Sequence, residues 1–294
     1  MNVELRHLRA VRAIGDEGSL TDAARVLHLT QPALSRTLAQ LEQRLGVRLV
    51  ERTTRSVRLT GPGERLWEHA HRILAQFDEA LADVTGAGGP RPLRLAFAWA
   101  ALGSHTVPVL RGWRERHPDV PVHVRRADDP VALLRRGEAD LAFLRLHPEP
   151  GDALVRHREL TRERRVAAVP VGHRLADRAD VTLADLAAEP VALCATAATT
   201  RAELWPAGRR PRMVTVPGVD EWLTTIATGA AVGVTAEGTV HEHTHPAVRY
   251  LPVRDAEPVT VHVAWPAHPA HPATETFRRH TEEYLADHEP AAGA

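Results

Sequence analysis

The sequence predicts an α/β protein in which a mostly helical N-terminal segment precedes a larger region of alternating strands and helices. Up to about residue 84, apolar residues recur every three or four positions, which is helical spacing. Beyond a Gly- and Pro-rich stretch at residues 85–92, short runs of Val, Leu and Ala alternate with helical patterns, as in α/β domains. A chain of 294 residues is long enough for two or three such domains.

Composition narrows the class of protein. The net charge is zero and 44% of the residues are hydrophobic, so the chain is no polycation and can form large cores. All 37 basic residues are Arg, which GC-rich coding explains. The single Cys194, in an apolar strand pattern, excludes an internal disulfide and fits a reducing compartment. Without a signal-peptide pattern, and without an apolar run near the ~20 residues of a membrane span, the protein is expected to be soluble and cytoplasmic, with no membrane contact.

Capping signals divide the first 45 residues into three helices. The first helix begins near residue 4. Ser19 begins the second, and Asp22 follows three residues later, as in a capping box. Thr30 begins the third helix, which runs from about residue 31 to residue 45.

The third helix has two unlike faces. Its apolar residues are Ala33, Leu34, Leu38, Leu41 and Leu45. Its polar face consists of Gln31, Ser35, Arg36, Gln40 and Arg44. Pro32 falls in the first turn, where its missing N–H costs nothing, and Gly46 ends the helix. Residues 47–60 then alternate into a basic hairpin with its tip near residues 53–55. This order of a short helix, a turn, a longer helix and a hairpin is suited to placing one helix in a DNA groove.

A further long helix is predicted from Gly61 to about Val84. It carries a narrow apolar stripe at spacings near seven and four, while its other faces are acidic. The stripe consists of Leu66, Ile73, Phe77, Leu81 and Val84, with Ala70 in the same seam. A helix of this kind needs a partner, so we predict that the stripe forms a dimer interface. The alternative is that it packs on the first domain.

The rest of the chain alternates strands with helices. Strands are predicted at 93–99, 120–126, 141–144, 165–170, 191–194, 213–216, 232–235, 249–252 and 259–265. Helices are predicted at 103–116, 131–136, 183–187, 199–205, 219–228 and 274–287. We expect this region to form two halves. The chain should enter the second half near residues 160–164 and return to the first half near residues 265–266.

The chain resembles LysR-type transcriptional regulators over essentially its whole length. The most specific part is GSLTDAARVLHLTQPALSRTLAQLEQRLGVRLVERTTRSVRLTGPGERL, from residue 18 to residue 66. Two other segments resemble the family more weakly: GEADLAF at 137–143 and VPVGHRLADRADVTLADLA at 169–187. One departure is Val50, where the family usually has Phe.

The resemblance implies a winged helix-turn-helix at residues 1–60, a dimerising linker helix at 61–86 and a hinge at 87–92. Residues 93–289 would then form an effector-binding domain with two lobes, similar to periplasmic binding proteins. The expected division gives lobe I residues 93–162 and 266–289, and lobe II residues 163–265. The implied partners are an operator dyad in double-stranded DNA, a small-molecule effector and a second chain, with two dimers forming a tetramer. A contact with RNA polymerase is compatible with this function, and no cofactor is expected.

The polar face of the third helix supplies groups that read bases. Gln pairs with adenine and Arg with guanine at the major-groove edge, and helix N-termini suit a phosphate. The candidate DNA-binding residues are Thr30, Gln31, Pro32, Ala33, Ser35, Arg36, Arg52, Thr53 and Arg55. Any single Arg could equally be a solvated surface charge. That alternative stays open for Arg44, Arg48 and Arg58, the last of which can pair with Glu51 across the hairpin.

An effector should lie between the lobes, over helix N-termini that favour anions. Two loops should face it, at residues 98–104 and 195–200. With the positions added by resemblance, the candidate effector-binding residues are Trp99, Ala100, Ser104, Asp128, Leu144, Thr196, Thr199, Val216 and Pro217. The family often has Ser or Thr near residues 98–100, and this chain has Ala-Trp-Ala, so the site should be more apolar. Trp99 would either stack on an effector or pack in a lobe core.

Two other classes of protein are weighed against this one. A metal protein or enzyme could use the His-rich segments 241–245 and 268–271, yet neither has the spacing of a helical zinc site, and no nucleophile–base pair is evident. A solute-binding protein would share the architecture of the C-terminal two thirds, but it would need export and would not carry residues 19–60. We therefore expect no metal site and no catalytic activity.

Overall fold

The computed structural model of the chain describes residues 3–52, 57–85, 91–145, 152–197 and 199–288. The chain divides into two compact units. The first comprises Met1–Gly89 with Arg135–Glu138, and the second comprises Pro90–Leu134 with Ala139–Ala294.

The described helices are α1 (Leu5–Glu17), α2 (Leu20–Val26), α3 (Gln31–Leu45), α4 (Gly61–Thr85), α5 (Thr106–Arg116), α6 (Pro130–Arg136), α7 (Leu183–Leu186), α8 (Val219–Ala227), α9 (Gly238–Glu242) and α10 (Thr274–His288). The described strands are β1 (Val50–Arg52), β2 (Val57–Leu59), β3 (Leu93–Phe97), β4 (Val122–Arg126), β5 (Leu141–Leu144), β6 (Val155–Glu163), β7 (Arg165–Pro170), β8 (Val191–Cys194), β9 (Met213–Val216), β10 (Val232–Ala236), β11 (Val248–Pro252) and β12 (Val259–Pro266).

The first three helices share one apolar core. Leu34, Leu38 and Leu41 of α3 are fully buried in it, which confirms the predicted apolar face. Ser19 caps α2, since its Oγ accepts a hydrogen bond from the backbone N–H of Asp22 at 3.4 Å. The core therefore fixes α3 by one face and leaves the opposite face to solvent.

The hairpin is attached to α3 through Glu42. Its Oε1 accepts hydrogen bonds from the backbone N–H groups of Leu49 at 2.8 Å and of Val50 at 3.2 Å. Val50, the position that departs from the family pattern, is buried in the same core as α3. Because both contacts lie at the start of β1, they set where the hairpin leaves the helix.

The start of α4 requires a glycine. Thr60 Oγ1 accepts the backbone N–H of Gly63 at 3.1 Å and donates to the carbonyl of Arg48 at 2.7 Å. A Cβ on Gly63 would lie 2.0 Å from the carbonyl oxygen of Leu49. The helix can therefore approach the hairpin this closely only where the side chain is a hydrogen.

The apolar stripe of α4 has two environments. Ala70 and Leu74 are buried against Leu8 of α1, so part of the helix packs on the first domain, as the alternative interpretation held. Ile73 lies between Ala70 and Leu74 in the sequence but is 41% exposed, and further along Leu81 and Val84 are 51% and 84% exposed. The C-terminal part of the stripe therefore remains uncovered in the single chain.

The second unit contains two five-stranded sheets. The first has the order β4-β3-β5-β12-β6, with β3 parallel to β4 and β5 and with β12 antiparallel to its neighbours. The second has the order β11-β7-β10-β8-β9, in which β8 is parallel to β9 and β10 while β7 is antiparallel to β10 and β11. We call the halves built around these sheets lobe I and lobe II.

The position of β12 corrects the expected division, which gave residues 163–265 to lobe II. β12 pairs with β5 and β6, and its Val261 and Val263 are fully buried in the core of lobe I. The chain therefore returns from lobe II to lobe I between Pro252 and Val259, and not near residues 265–266. The physical reason is that β12 has the pattern of a buried strand, and this pattern alone does not select one of the two sheets.

Further differences from the expected elements concern residues 199–205 and β6. Residues 199–205, predicted as a helix, contain only a 3₁₀ turn at Ala202–Leu204. β6 was not predicted, because it is a mostly exposed edge strand whose sequence VRHRELTRE has little apolar alternation.

A capping box in lobe II gives a testable contribution to stability. Thr182 Oγ1 and its backbone N–H donate to Asp185 Oδ2 at 2.7 and 2.9 Å, and together these bonds lower the pKa of Asp185 to about 2. Thr182→Ala should reduce the free energy of unfolding, measured with urea, by about 1 kcal/mol. The difference should shrink as the pH falls from 3.8 toward 2, because Asp185 is then protonated. The exposed Thr228→Ala should change stability by less than about 0.5 kcal/mol and serves as the control.

Candidate nucleic-acid interface and ligand cleft

The exposed face of α3 carries the residues that were predicted to contact DNA bases. Gln31, Pro32 and Arg36 are exposed, and Ser35 is half-buried beside them. Gln31 Nε2 donates to Ser35 Oγ at 3.1 Å, which holds both side chains on one side of the helix. The amide oxygen and the second N–H of Gln31 remain available, which is the donor and acceptor pair that adenine requires.

The N-terminus of α3 is open. Thr30 occupies the N-cap position as predicted, but its side chain makes no capping hydrogen bond. Pro32 has no N–H and the N–H of Ala33 donates to the Thr30 carbonyl at 3.0 Å, so the N–H of Gln31 is the one in this turn that no described residue accepts. Such a terminus favours an anion such as a phosphate.

The other Arg residues considered as DNA contacts lie near the end of α3 and in the hairpin. Arg44 Nη1 lies 3.7 Å from Glu4 Oε1, and Arg48 Nη1 lies 3.9 Å from Glu42 Oε2, so both have carboxylate neighbours within the domain. Arg58 faces Glu51 in the hairpin register. Arg52 is the last residue of β1, whereas the predicted Thr53 and Arg55 lie outside the described residues.

Between the lobes, Trp99 fills the position expected for a ligand. It follows β3 of lobe I, is 4% exposed, and packs in an apolar cluster of lobe II. Its indole Nε1 donates to Thr239 Oγ1 at 2.6 Å, and Thr239 in turn shares a hydrogen bond with Thr235 at 2.7 Å. The ring contacts Trp222 edge-on, with centroids 6.0 Å apart. These contacts correspond to the packing alternative for Trp99.

His243 closes the other side of Trp99. The two ring centroids are 4.9 Å apart, with 46° between the ring planes. Burial, reinforced by the positive charge of Arg126, lowers the pKa of His243 below its usual value. His243 therefore covers the indole as a neutral ring at neutral pH.

A cavity of about 10 Å³ remains beside Trp99, enough for about one water molecule. We call it the cleft cavity; it is lined by Trp99, Ala192, Cys194, Ala197, Thr199, Thr200, Trp222, Val234 and Thr235. Of the candidate effector residues, Trp99 and Thr199 line it, and Ala100 and Val216 pack in the same cluster as Trp99. The structure does not bring the others to this cavity: Leu144 is buried in the core of lobe I, Thr196 contacts Cys194, and Ser104, Asp128 and Pro217 are exposed.

The loop that carries Trp99 is strained and is held by Arg145. Ala100 and Ala101 have φ angles of 45° and 31°, which side chains other than glycine rarely adopt. Arg145 donates to the carbonyls of Trp99 and Ala100 while its other N–H groups bind Glu163 at 2.7 and 2.8 Å. This buried ion pair therefore fixes the loop that places Trp99 between the lobes.

Four residues of this site were not predicted from the sequence: Arg145, Trp222, Thr239 and His243. Trp222 lies on the apolar face of α8. The helical spacing of that face predicts a core residue and gives no sign of a binding site. His243 belongs to the His-rich segment 241–245, which was weighed only as a metal site, and Thr239 lies two residues before that segment. Arg145 directly follows β5 and carries no pattern of its own, so no signal could have identified it.

The hydrogen bond between Trp99 and Thr239 should contribute measurably to stability. Trp99→Phe and Thr239→Val should each lower the free energy of unfolding by about 1–2 kcal/mol, since a buried partner is left unsatisfied. In a double-mutant cycle measured by urea denaturation, the coupling energy should be about 1 kcal/mol. Purely additive losses would show that the two side chains do not interact in solution.

Membrane-spanning helices and metal clusters are both absent from the described part of the chain. No helix within it is long and apolar enough to cross a membrane. Within the same residues, no three or more His, Cys, Asp or Glu side chains are grouped so that they could hold a metal ion.

Two protein-family models match the chain. "LysR substrate binding domain" matches residues 86–286, and "Bacterial regulatory helix-turn-helix protein, lysR family" matches residues 5–64. The fold is also similar to that of a solved structure of full-length CbnR complexed with its target DNA, with a TM-score of 0.65. That likeness covers 96% of this chain and 99% of CbnR at 23% identity, so it concerns the fold alone.

Two relatives confirm the resemblance at the sequence level. The HTH-type transcriptional regulator YnfL of Escherichia coli (strain K12) is 36% identical over 195 residues, which cover 65% of this chain and 65% of YnfL. MetR of Salmonella typhimurium is 33% identical over 222 residues, covering 73% of this chain and 68% of MetR. The matched stretches thus span about two thirds of each relative. The chain therefore belongs to the LysR family of transcriptional regulators, which join a regulatory helix-turn-helix domain to a substrate-binding domain.

Proposed function

We propose that the protein is a cytoplasmic, sequence-specific DNA-binding regulator whose action at promoters is modulated by a small molecule held between lobes I and II. The observation that carries this proposal is the division of α3 into a fully buried apolar face and an exposed polar face. A helix fixed by one face, with amide and guanidinium groups on the other, is equipped to enter a major groove.

At the DNA end, Gln31, Ser35 and Arg36 read bases. The residues that contact backbone, groove edge or a thymine methyl are Thr30, Pro32, Ala33, Arg52, Thr53 and Arg55. Support comes from the open N-terminus of α3 and from the exposure of Gln31 and Arg36. The contacts of Glu42 with the start of β1 hold the hairpin at a fixed position beside the helix.

Dimerisation proceeds through α4. Leu66, Ile73, Phe77, Leu81 and Val84 form the stripe, and the exposure of its C-terminal part in the single chain supports a second copy as its partner. Residues 1–60 then read DNA, 61–86 pair the chains, 87–92 act as the hinge, and the remainder up to residue 289 binds the effector. Two such dimers form a tetramer on the operator, where RNA polymerase is a further partner.

The effector occupies the region around Trp99. With a cleft cavity of only about 10 Å³, the indole must move before a small molecule can enter. Ligand binding is thereby coupled to the hydrogen bond with Thr239 and to the loop held by Arg145. Of the effector candidates, Ala100, Thr199 and Val216 lie beside Trp99, while Ser104, Asp128, Leu144, Thr196 and Pro217 become contacts only in a rearranged state.

The proposal is tested by selecting DNA from a random double-stranded library with the purified full-length chain. We expect enrichment of a sequence with dyad symmetry whose half-sites are spaced by a multiple of the helical repeat, about 10 base pairs. Failure to enrich any sequence over a range of salt concentrations would contradict the proposed function.

A further inference from the structure

A second and larger pocket lies between the lobes, beside the starts of β7 and β12, where the chain crosses from one lobe to the other. It has a volume of about 360 Å³, within the range of small-molecule sites. We call it the hinge pocket; its key lining residues are Arg165, Thr199, Arg201, Leu204, Pro258 and Val259. Thr199 lines both this pocket and the cleft cavity beside Trp99, so the two spaces are neighbours.

Arg165, the first residue of β7, brings a half-buried positive charge to the hinge pocket. Its Nε donates to the carbonyl of Glu257 at 2.7 Å, and its Nη1 donates to the carbonyl of Thr199. Among the described residues, no carboxylate forms an ion pair with it and its Nη2 has no hydrogen-bond acceptor. Burial lowers the pKa of Arg165, and no acidic neighbour opposes that shift. A half-buried guanidinium without a counter-charge can form charge-assisted hydrogen bonds with an incoming anion.

The other charges around the hinge pocket leave it positive. Arg145 is neutralised by its bidentate pair with Glu163. Arg201 is exposed and forms no hydrogen bond or ion pair with a described residue. Glu203, an exposed side chain, is the one carboxylate among the described residues that line the pocket. Arg165 and Arg201 therefore outnumber their acidic neighbour.

One wall of the pocket is apolar, beside the polar Thr199, Thr260 and His262. Leu204 packs with the core of lobe II, and Val259, at the start of β12, is 4% exposed. Pro258 precedes β12 and extends this wall. A ligand with a charged end and a short apolar body would therefore find a complementary surface for each part.

We propose that the hinge pocket is a binding site for a small monocarboxylate with a short apolar body. The carboxylate is held by Arg165 Nη2 and Arg201, and the body lies on Leu204, Pro258 and Val259. Because the pocket touches both lobes, occupation would brace one against the other. The proposal concerns a site separate from the cleft cavity, and it does not depend on whether an effector displaces Trp99.

The test uses the full-length protein with hexanoate as the probe, measured by calorimetry and by thermal shift at constant ionic strength. We expect saturable binding to the wild type, weaker binding of acetate because it lacks the apolar body, and little effect of sulfate. Arg165→Gln and Arg201→Gln should each weaken hexanoate binding roughly tenfold or more, since each removes a charged hydrogen-bond donor. Arg201 is exposed, so its variant tests the site without a risk to folding.

Two control variants distinguish binding in the hinge pocket from binding elsewhere on the protein. Arg164→Gln removes a neighbouring exposed Arg that is already paired with Glu237 at 2.9 Å, so it should leave hexanoate binding unchanged. Trp99→Phe alters the cleft cavity and should also leave it unchanged. The proposal is overturned if hexanoate does not bind, if sulfate binds equally well, or if Arg201→Gln binds hexanoate like the wild type. A loss of binding in Trp99→Phe alone would assign the hexanoate to the cleft cavity and would equally overturn it.

Discussion

Arg36→Ala is expected to remove sequence-specific DNA binding while leaving the dimer intact. Arg36 is exposed on the polar face of α3 and directly follows Ser35, which forms a hydrogen bond with Gln31. A bidentate contact to a base is worth about 1–3 kcal/mol, and a dimer loses two of them, so the affinity should fall by about 2–6 kcal/mol. Fluorescence anisotropy with the selected dyad would measure this loss against binding to random DNA.

The same helix offers a matched control for Arg36→Ala. Gln43 is exposed near the C-terminus of α3, away from its open N-terminal turn. Gln43→Ala should therefore bind the dyad with nearly the affinity of the wild type. If Arg36→Ala were indistinguishable from Gln43→Ala, α3 would not read the base to which Arg36 is assigned.

Leu81→Asp is expected to convert the protein to monomers and, as a consequence, to abolish tight operator binding. Burial of a Leu side chain is worth about 1.5–3 kcal/mol, and each chain of a symmetric interface loses one. The variant also places two carboxylates on the stripe of α4, where desolvation and repulsion oppose pairing. Sedimentation equilibrium at micromolar concentration should show a shift from dimer or tetramer to monomer.

Ala82→Asp tests whether an added negative charge on α4 is enough by itself to disrupt the dimer. Ala82 is the next residue of α4 and points about 100° away from Leu81 around the helix. This variant should keep the oligomeric state and the DNA affinity of the wild type. A dimeric Leu81→Asp protein would show that the exposed stripe is not the interface.

The N-terminal unit could be predicted closely because its signals are local. The cap at Ser19, the Pro in the first turn of α3 and the stop at Gly46 are each encoded within a few residues, and the structure has α3 at the predicted bounds. The contacts of Glu42 with the hairpin could not be predicted, since they join residues seven and eight positions apart across a turn.

The lobes were less predictable because their decisive contacts are distant in sequence. The indole of Trp99 meets Thr239 across 140 positions, and no periodicity encodes such a pair. β12 has the pattern of a buried strand but nothing in it selects lobe I over lobe II. For the same reason the role of Arg145, which stabilises a strained loop 45 and 46 positions away, emerges only from the fold.

The central claim is that two copies of α3, held apart by the α4 dimer, read one DNA site together. It is tested most directly by comparing the affinity of the wild type for the selected dyad and for the same DNA with one half-site scrambled. We predict that the scrambled site binds at least about a hundredfold more weakly at physiological salt, because one set of base contacts is lost while the phosphate contacts remain. Equal affinity for both DNAs would contradict the claim.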